Sequence, residues 1–312
     1  MEFLGIDVGA SKIEYAYAER AKSVKTSECG RIEIDAGIDT TTLLHIIGVL
    51  AQTSDPAAIG LSVPGFVVKG QMIRLPNLQR VDGRAFMRGL KAATRGRPII
   101  VENDAKCMAL AEWTARGRDE EDDFLLVAAG SGIGGAIVRD GRLARGAHNL
   151  AGEFGHMRMA GRPAGERTGA DNVGCRPEEW EAQAGGFGIA RRWRRANPDH
   201  RRLSAKEIFY LSYTDADARK IVNQSARSFA SGLAELACIL DPKEIIVAGS
   251  LGCAYLKDAQ TRKLVLQTFR QDAREGTAKT PIRLSRSPHR AREGACLLAG
   301  MEEDREIKKF LA

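Results

Sequence analysis

The sequence lacks the features of membrane, secreted and disordered proteins. No uninterrupted apolar run reaches the roughly 18 to 20 residues that a membrane-spanning helix requires. The opening Met-Glu-Phe-Leu-Gly-Ile-Asp has no basic start and reaches an acidic residue at once, unlike a signal peptide. Aromatic residues contribute only 6%, yet apolar residues make up 44% and charged residues 28%, which is ordinary globular usage. We therefore expect a cytoplasmic globular protein without a membrane partner.

Cysteine pairs at metal-binding spacing are also missing. The six cysteines are spread singly along the chain, and no two of them have CxxC spacing. In a cytoplasmic protein this pattern favours reduced, mostly buried thiols over disulfides or a metal cluster.

Length and net charge narrow the class of protein without naming a ligand. A chain of 312 residues is long for one hydrophobic core and suits two lobes or domains. The net charge of +7 is compatible with nucleic acid, acidic membranes or small anionic ligands such as nucleotides. By itself the charge selects none of these partners.

The first part of the chain alternates between strand and helix patterns. A short apolar strand over residues 3–9 reaches a turn at residues 9–12 and returns over residues 13–17, which predicts a hairpin. Apolar residues at helical spacing predict a helix over residues 40–52, with threonines available to cap its start. A buried strand is predicted over residues 58–63.

The strand and turn pattern then recurs. A strand over residues 97–104 and a helix over residues 105–116 precede an acidic run at residues 119–123, which we interpret as a lobe boundary. Beyond it, a strand over residues 124–129 leads through a glycine-rich turn into a strand over residues 136–138. This repetition predicts two related lobes that each open with a phosphate-sized loop.

The first candidate site is the pattern Asp7-x-Gly9-x-Ser11-Lys12 in the predicted hairpin turn. Gly9 lets the backbone approach a ligand, and Ser11 and Lys12 carry groups that hold phosphate oxygens. Asp7 supplies a carboxylate of the kind that holds water around Mg²⁺. An ordinary hairpin turn has the same composition, so both interpretations stay open.

The second candidate site is the run Gly-Ser-Gly-Ile-Gly-Gly at residues 130–135. Its first residues, Gly130, Ser131 and Gly132, offer backbone N–H groups that suit an anion. The run is not a Walker loop, because no Gly-Lys-Ser/Thr follows, and it is not a dinucleotide fingerprint, because a strand rather than a helix follows. A plain glycine-rich turn is the alternative.

The third candidate site is Glu102-Asn103-Asp104 at the end of a predicted strand, where open α/β sheets bind ligands. The carboxylate of Asp104 is placed to accept a proton from a substrate hydroxyl, and Asn103 to orient that hydroxyl. A helix cap formed by Asn and Asp is the structural alternative.

The fourth candidate site is Gly-Glu-Phe-Gly-His at residues 152–156. Glu153 and His156, three residues apart between glycines, are able to converge on hydroxyl groups or on a metal. A lone His-Glu pair is more often structural, so this motif decides nothing alone.

The four motifs, in this order, resemble the ROK family of sugar kinases and repressors in the actin-like, hexokinase-like ATPase superfamily. The resemblance covers nearly the whole chain. Further segments with family-like patterns are residues 60–65, Glu112, and residues 146–157, 241–250 and 293–295.

The resemblance implies an α/β, two-lobed actin-like ATPase (ribonuclease-H-like) fold, with a mixed β-sheet flanked by helices in each lobe. It implies an N-terminal lobe at residues 1–117 with the sugar site, the first phosphate loop and the catalytic Asp. A C-terminal lobe at residues 118–289 would hold the second phosphate loop and the adenosine site. Residues 290–312 would form a closing helix that packs back on the N-terminal lobe.

The resemblance also implies a glucokinase-like activity: ATP-dependent phosphorylation of a hexose or hexosamine hydroxyl, with Asp104 as general base and ATP and Mg²⁺ as cofactors. The residues that it implies for the sugar are Gly65, Asn77, Asn103, Asp104, Glu153, His156 and Glu181. Those that it implies for ATP and Mg²⁺ are Asp7, Gly9, Ser11, Lys12, Gly130, Ser131, Gly132, Gly249 and Ser250. The expected partners are a sugar and ATP, in a homodimer without DNA.

One motif of the family is missing. Members usually carry a Cys-x-Cys-Gly-x-x-Gly-Cys-x-Glu run that binds structural zinc together with the signature histidine. The matching region, residues 167–181, contains only Cys175. One thiol and His156 do not complete the three or four protein ligands of a structural zinc site, so we predict no zinc.

The same region leaves the sugar-binding glutamate open. Glu181 is the best match, because the sequence from Trp180 onward resembles the family's Trp-Glu-Ala-Tyr-Ala-Ser-Gly. This alignment puts Glu179 where a zinc cysteine would be. Glu178 is the rival candidate.

Three alternatives remain beside the kinase interpretation. Repressors of the family carry a helix-turn-helix region before the first phosphate motif, whereas here Asp7 comes almost immediately. A catalytically silent sugar-binding sensor or regulator stays open, and sugar-dependent ATP consumption would separate it from a kinase. The basic run at residues 191–195 suggests nucleic acid, but a solvated helix face with one buried Trp is favoured.

The sequence does not identify the sugar, and it leaves polyphosphate open as the phosphate donor.

Overall fold

The structure is a computed structural model that describes residues 2–19, 28–35, 37–68, 71–75, 78–159, 176–199, 202–286 and 290–312. The strands are β1 Phe3–Val8, β2 Lys12–Ala18, β3 Glu28–Glu33, β4 Ala58–Val63, β5 Phe66–Val68, β6 Gln71–Arg74, β7 Ile99–Asn103, β8 Phe124–Ala129, β9 Ile133–Arg139, β10 Arg142–Leu143, β11 Glu244–Ala248 and β12 Ile282–Leu284. The α-helices are α1 Thr40–Thr53, α2 Gly83–Ala93, α3 Asp104–Ala115, α4 Trp180–Ala184, α5 Gly186–Ala196, α6 Ala205–Leu211, α7 Ala216–Leu240, α8 Ser250–Lys257, α9 Ala259–Asp272, α10 Arg290–Ala299 and α11 Arg305–Leu311.

The first sheet has the strand order β3-β2-β1-β4-β7. β1 and β2 pair antiparallel, with Val8 opposite Ile13 beside the turn, which confirms the predicted hairpin. β4 pairs parallel with β1 and with β7, so the carboxyl ends of these three strands lie at one edge. The register places Asp7 beside Ser62, and Ser62 beside Glu102. This edge therefore gathers polar side chains from three strands.

Helix α10 lies close to the first sheet because two facing glycines have no side chain. A Cβ on Gly60 would overlap the carbonyl oxygen of Ala295, and a Cβ on Gly5 would overlap the backbone of Cys296. α10 is also joined to α3, because the buried Arg290 lies 3.1 Å from Glu112. A buried pair of this kind leaves an uncompensated charge if one partner is removed.

The second sheet has the strand order β10-β9-β8-β11-β12. β9 and β10 pair antiparallel, whereas β8, β11 and β12 pair parallel. The order repeats that of the first sheet, so the predicted α/β class with two mixed sheets flanked by helices is confirmed.

Strand β9 corrects one sequence-based boundary. A strand was predicted over residues 136–138, but β9 begins at Ile133 and so includes Gly134 and Gly135. The reason is packing rather than turn formation, because a Cβ on Gly135 would overlap the ring of Phe154. Gly135 therefore makes room for the ring of Phe154 within β9 and is not part of the turn after β8.

Helix α1 confirms the predicted helix but corrects its cap. The predicted capping threonines do not serve as the N-cap: Asp39 does, and its carboxylate accepts a hydrogen bond from the N–H of Thr42 at 2.8 Å. Thr40 instead accepts a hydrogen bond from the N–H of Asp82, which is the N-cap residue of α2. Thr40 thus connects α1 with α2 instead of capping the start of α1.

Asp39→Ala should lower the free energy of unfolding, because it removes the N-cap of α1. Urea unfolding followed by circular dichroism would measure the change. Thr41→Ala is the control, since Thr41 is exposed on the same helical turn. Equal losses in the two variants would contradict the assignment of Asp39 as the cap.

The basic run lies on helix α5 and differs in part from the predicted solvated face. Trp193 is buried, as predicted. Arg191 is buried too, because its guanidinium donates to the carbonyl of Ala182 at 3.1 Å. Arg192 donates to the carbonyl of Gln183 at 2.7 Å. Part of the positive charge therefore holds α5 to neighbouring backbone.

The chain divides into two compact units, which we describe separately. Unit 1 comprises residues 1–122, 136–152 and 289–312, and unit 2 comprises residues 123–135 and 153–288. Residues 136–152 belong to unit 1, whereas the predicted lobe boundaries placed them in the second lobe. Within the described ranges, every helix is too short or too polar to span a lipid bilayer.

The cysteines in the described ranges are free thiols, as predicted. Cys107 and Cys296 are buried, Cys238 and Cys253 are partly buried, and Cys29 is exposed. Burial raises the pKa of Cys296 to about 12, which keeps this thiol protonated and unreactive.

Candidate active site

In unit 1, the hairpin between β1 and β2 forms the first candidate loop. The N–H of Gly9 donates to the carbonyl of Lys12 at 2.8 Å, which closes the turn and leaves the Ser11 side chain exposed. The ammonium of Lys12 lies 2.6 Å from the carboxylate of Glu14. Two residues apart on a strand place both side chains on one face, so this pair is visible in the sequence, although Glu14 was not singled out.

Asp7 lies at the carboxyl end of β1 and is half-buried. The Ser62 hydroxyl donates to its Oδ1 at 2.6 Å. Burial raises the pKa of Asp7 to about 7, although the Ser62 hydrogen bond acts in the opposite direction; the negative charges of Asp104 and Glu14 raise it further. A cation bound near Asp7 would offset the repulsion among these carboxylates.

The residues around Asp7 fit a hydrated Mg²⁺. Mg²⁺ usually keeps several waters and takes one or two protein carboxylates, with phosphate oxygens completing its shell. The half-buried Asp7, beside the charge of Asp104, meets that requirement. Asp7 would hold such an ion through water.

Asn103 at the end of β7 has the capping role that was considered as the structural alternative. Its Oδ1 accepts from the N–H groups of Ala105 and Lys106 at the start of α3, at 3.0 and 3.3 Å. Its Nδ2 donates to the carbonyl of Gly65 at 3.1 Å. Gly65 has φ of 147°, in the region that favours glycine. Asn103 thus connects two segments that were predicted to bind sugar.

Asp104 is the first residue of α3 and is half-buried. Its Oδ1 accepts from the N–H of Ala105 at 2.8 Å. A carboxylate at a helix N-terminus is stabilised in its charged form by the helix dipole. Asp104 therefore places a carboxylate at the same strand edge as Asp7.

A buried polar network behind Asp104 was missed by the sequence analysis. Arg145 donates to the Glu102 carboxylate at 2.6 Å and to Asn149 at 2.8 Å. The almost fully buried Lys106 donates to the backbone carbonyl of Asn149. Glu102 in turn accepts from the N–H of Asn103 at 2.8 Å. Contacts between residues about 43 positions apart give no local sequence signal, so only the fold reveals them.

In unit 2, the loop after β8 is held by the start of α5. The N–H groups of Gly186 and Phe187 donate to the carbonyls of Gly130 and Ser131, both at 2.9 Å. Within the described ranges, the N–H groups of Ser131 and Gly132 donate no hydrogen bond. This loop thus offers two backbone donors, as an anion site requires.

A cavity of about 870 Å³ in unit 2 adjoins this loop. Gly130, Ser131 and Ser250, all predicted to bind ATP, line its wall. Gly249 precedes Ser250 with φ of 79°, and a Cβ on it would overlap the backbone of Ala129, so this position requires glycine. The structure therefore brings the second loop and the predicted adenosine segment to one cavity.

Aromatic side chains at the cavity were missed by the sequence analysis. Phe187, Tyr210 and Tyr213 line it and are partly exposed. Lys206 and Lys257 add positive charge at its wall. The sequence signal that points to this region is the Ser-x-x-Glu capping box at the start of α6, which fixes the helix that carries Tyr210.

Glu181 on α4 contacts the second loop. Its Oε2 accepts from the N–H of Ile133 at 2.8 Å, and a Cβ on Gly132 would overlap this carboxylate. Glu153 is half-buried at the start of the 3-10 helix Phe154–His156. The backbone carbonyl of Glu178, the rival candidate, accepts from the N–H of Met159 at 2.9 Å.

His156 pairs with Glu179 rather than with a cysteine. Its Nδ1 lies 3.0 Å from Glu179 Oε2. Among the residues that the structure describes, no group of three or more His, Cys, Asp or Glu side chains is arranged to hold a metal. Cys175 and the predicted sugar ligand Asn77 lie outside the described residues.

Comparison with known proteins relates this chain to one family. The model of the ROK family matches residues 3–301. N-acetyl-D-glucosamine kinase of Photobacterium profundum is 30% identical over 266 residues, which are 80% of this chain and 84% of that protein. Glucokinase of Halalkalibacterium halodurans is 28% identical over 273 residues, 81% of each protein. The crystal structure of a ROK hexokinase from Thermus thermophilus is 27% identical, with a TM-score of 0.76 over 97% of this chain and 99% of that chain.

Proposed function

The chain belongs to the ROK family and is a sugar kinase, and we propose that it transfers the γ-phosphoryl group of ATP to a hydroxyl of a hexose or hexosamine. The observation that carries the proposal is the family match over residues 3–301. The polar strand edge of unit 1 and the cavity of unit 2 support it. Because the relatives are named for different sugars, glucose and N-acetylglucosamine, the proposal specifies a class of sugar rather than one sugar.

In the proposed reaction, Asp104 accepts the proton of the attacking hydroxyl. The new bond joins that hydroxyl oxygen to the γ-phosphorus, while the bond from the γ-phosphorus to the bridging oxygen breaks and ADP leaves. Asn103 and the carboxylate of Glu102 support this position, because both bond to the backbone at the β7–α3 junction. Gly65, Asn77, Glu153, His156 and Glu181 are the proposed sugar contacts.

The phosphate-binding role falls to two loops. The N–H groups of Ser131 and Gly132 are the proposed donors to phosphate oxygens in unit 2, and Gly9, Ser11 and Lys12 have this role in unit 1. Phosphoryl transfer depends mainly on alignment and charge neutralisation, so such donors should carry most of the rate enhancement. When bound, Mg²⁺ neutralises charge on the phosphate oxygens, and Asp7 is the proposed residue that holds it.

The remaining parts of the proposal concern partners and location. We propose a cytoplasmic homodimer that binds no DNA, and Gly249 and Ser250 as contacts of the adenosine. Polyphosphate is the alternative donor. A catalytically silent sugar-binding sensor or regulator is the alternative function. The test that distinguishes a kinase from such a sensor is whether ATP consumption depends on sugar.

A coupled assay of ADP release across a panel of hexoses and amino sugars tests the proposed function. The expected result is ADP release that requires one or a few sugars and that saturates with sugar concentration. Asp104→Asn protein under the same conditions controls for contaminating kinases. Sugar binding in calorimetry without ADP release would favour the sensor. Phosphorylation of the sugar with polyphosphate but not with ATP would identify polyphosphate as the phosphate donor.

Tyr210→Ala should raise the KM for ATP about fivefold while changing kcat little. The side chain of Tyr210 lines the cavity of unit 2 and is 62% exposed, so it is available for stacking on a base. Stacking of an aromatic ring on a base contributes about 1–3 kcal/mol, and an exposed ring should lie at the low end. Initial rates at saturating sugar measure the change. Ile239→Ala, an exposed apolar truncation on α7, is the control; an unchanged KM in Tyr210→Ala would remove Tyr210 from the nucleotide site.

A further inference from the structure

Arg145 of unit 1 contacts three separate segments of the chain through its guanidinium. Its Nη1 donates to the Glu102 carboxylate in β7 at 2.6 Å and to the Oδ1 of Asn149 at 2.8 Å. Its Nε donates to the backbone carbonyl of Leu311, the last residue of α11, at 2.6 Å. A guanidinium is planar and presents its N–H groups in fixed directions, so three acceptors define its position.

Asn149 holds this arginine from the side of the loop that follows β10. Its Oδ1 also accepts from the ammonium of Lys106 at 3.1 Å, and its Nδ2 donates to the carbonyl of Val67. Its φ of 57° lies in the left-handed region, which Asn tolerates better than most residues do. The loop that carries Arg145 is therefore joined to α3 and to β5, all within unit 1.

Glu102 connects Arg145 with the junction of β7 and α3. Its side chain is only 6% exposed, and its two oxygens have different partners. Oε2 faces Arg145, whereas Oε1 accepts from the N–H of Asn103 at 2.8 Å. A buried carboxylate without a counter-charge is unfavourable, so without Arg145 the Glu102 side chain should turn toward water. The hydrogen bond to the N–H of Asn103 would then be lost.

The peptide that Glu102 holds lies directly before the proposed general base. We propose that Arg145 is a positioning residue: through Glu102 it fixes the backbone at the β7–α3 junction and thereby the direction of the Asp104 carboxylate. This inference rests on the proposed function for the role of Asp104. Arg145 itself touches neither sugar nor ATP in this proposal, and its contribution is to the alignment of the base with the attacking hydroxyl.

Hydrogen exchange in the sugar-free protein, measured amide by amide by NMR, tests the positioning without any activity. The amides to follow are those of Asn103, Ala105 and Lys106, because each donates to a side chain of the junction. Arg145→Ala should accelerate their exchange about tenfold or more, since a hydrogen bond to a charged group contributes at least that much. Unchanged exchange at these amides would overturn the inference. Acceleration spread evenly over the first sheet would overturn it too, because it would show a general loss of stability.

Two further variants separate positioning from loss of charge and of stability. Arg145→Lys keeps a positive charge near Glu102, but an ammonium lacks the rigid fork of the guanidinium, so the junction should still exchange faster. Wild-type exchange in Arg145→Lys would assign the effect to charge alone and overturn the inference. Arg116→Ala is the matched control, because it removes a partly buried arginine that lies 2.9 Å from Asp122 at the other end of α3. Equal acceleration at the junction in this control would also contradict the inference.

Kinetics with the sugar that the panel identifies test the consequence for turnover. Arg145→Ala should lower kcat about 10- to 10²-fold, as expected for a misaligned base, and leave the KM for ATP unchanged. Added methylguanidinium should restore part of the lost kcat, because the Arg145 side chain is 27% exposed and its site is open to solvent. Methylammonium, which has the same charge, should not. An unchanged kcat, no rescue by methylguanidinium, or equal rescue by both cations would overturn the inference.

The two experiments fail separately from the proposed function. Absence of sugar-dependent ADP release in the wild-type protein would contradict the kinase activity. The exchange rates would still decide whether Arg145 fixes the junction that carries Asp104.

Discussion

Asp104→Asn should lower kcat by about 10²- to 10⁴-fold or more, because the amide cannot accept the proton of the attacking hydroxyl. The substitution keeps the shape of the side chain and its hydrogen bond from the N–H of Ala105. Binding of sugar and ATP should therefore stay close to that of the wild-type protein, and the loss should appear in turnover. Single-turnover rates at saturating sugar and ATP measure it.

The stability effect of Asp104→Asn should be small and separable. Loss of one negative charge at the start of α3 costs about 0.3–1 kcal/mol of helix stabilisation. Asp140→Asn is the matched control, since Asp140 is exposed in the β9–β10 turn with φ of 50°, a conformation that Asn tolerates well. Near-normal turnover in Asp104→Asn, with binding intact, would show that Asp104 is not the base.

Asp7→Asn should stabilise the Mg²⁺-free protein at pH 8 by up to about 4 kcal/mol, while its kinase activity falls. The pKa of Asp7 is raised by burial from 3.8 to about 7, and each pKa unit corresponds to about 1.36 kcal/mol. The folded state binds this proton more tightly than the unfolded state does. Wild-type stability should therefore decrease as pH rises from about 4 to 7, and then level off. Asn remains neutral and can still accept the Ser62 hydrogen bond.

Urea unfolding at pH 5, 6, 7 and 8 in the presence of a chelator measures this dependence. The stability difference between Asp7→Asn and the wild-type protein should grow with pH across that range. Asp35→Asn, a change at an exposed carboxylate in unit 1, is the control for the substitution itself. A difference that stays constant from pH 5 to 8 would contradict the raised pKa. Gain of stability with loss of activity is expected where a functional site holds an unfavourable charge.

Elements governed by local chemistry were predictable from the sequence. The β1–β2 hairpin depends on glycine and turn residues and lies where the sequence predicts it, whereas the glycine-rich turn after β8 is shorter than predicted because β9 begins at Ile133. Helix α1 was predicted over residues 40–52, and it extends one residue further, to Thr53. Boundaries of this kind shift because one capping side chain competes with several others.

Pairs between distant segments were not predictable. Nothing near Glu102 in the sequence indicates Arg145, and nothing near Arg290 indicates Glu112. Such charges find partners only after the strands and helices pack, since burial without a partner is too costly. His156 and Glu179 illustrate an intermediate case: alignment to the family placed Glu179 at a cysteine position, but its hydrogen bond appears only in the structure.

The discontinuous course of unit 1 has a consequence for synthesis on the ribosome. Its sheet is covered by α10, which is translated after the whole of unit 2. At roughly 5–20 residues per second, the nascent chain waits on the order of ten seconds between residue 152 and residue 290. During that interval the strand faces around Gly5 and Gly60 are uncovered, so the growing chain is most exposed to chaperones and to aggregation until α10 has been synthesised.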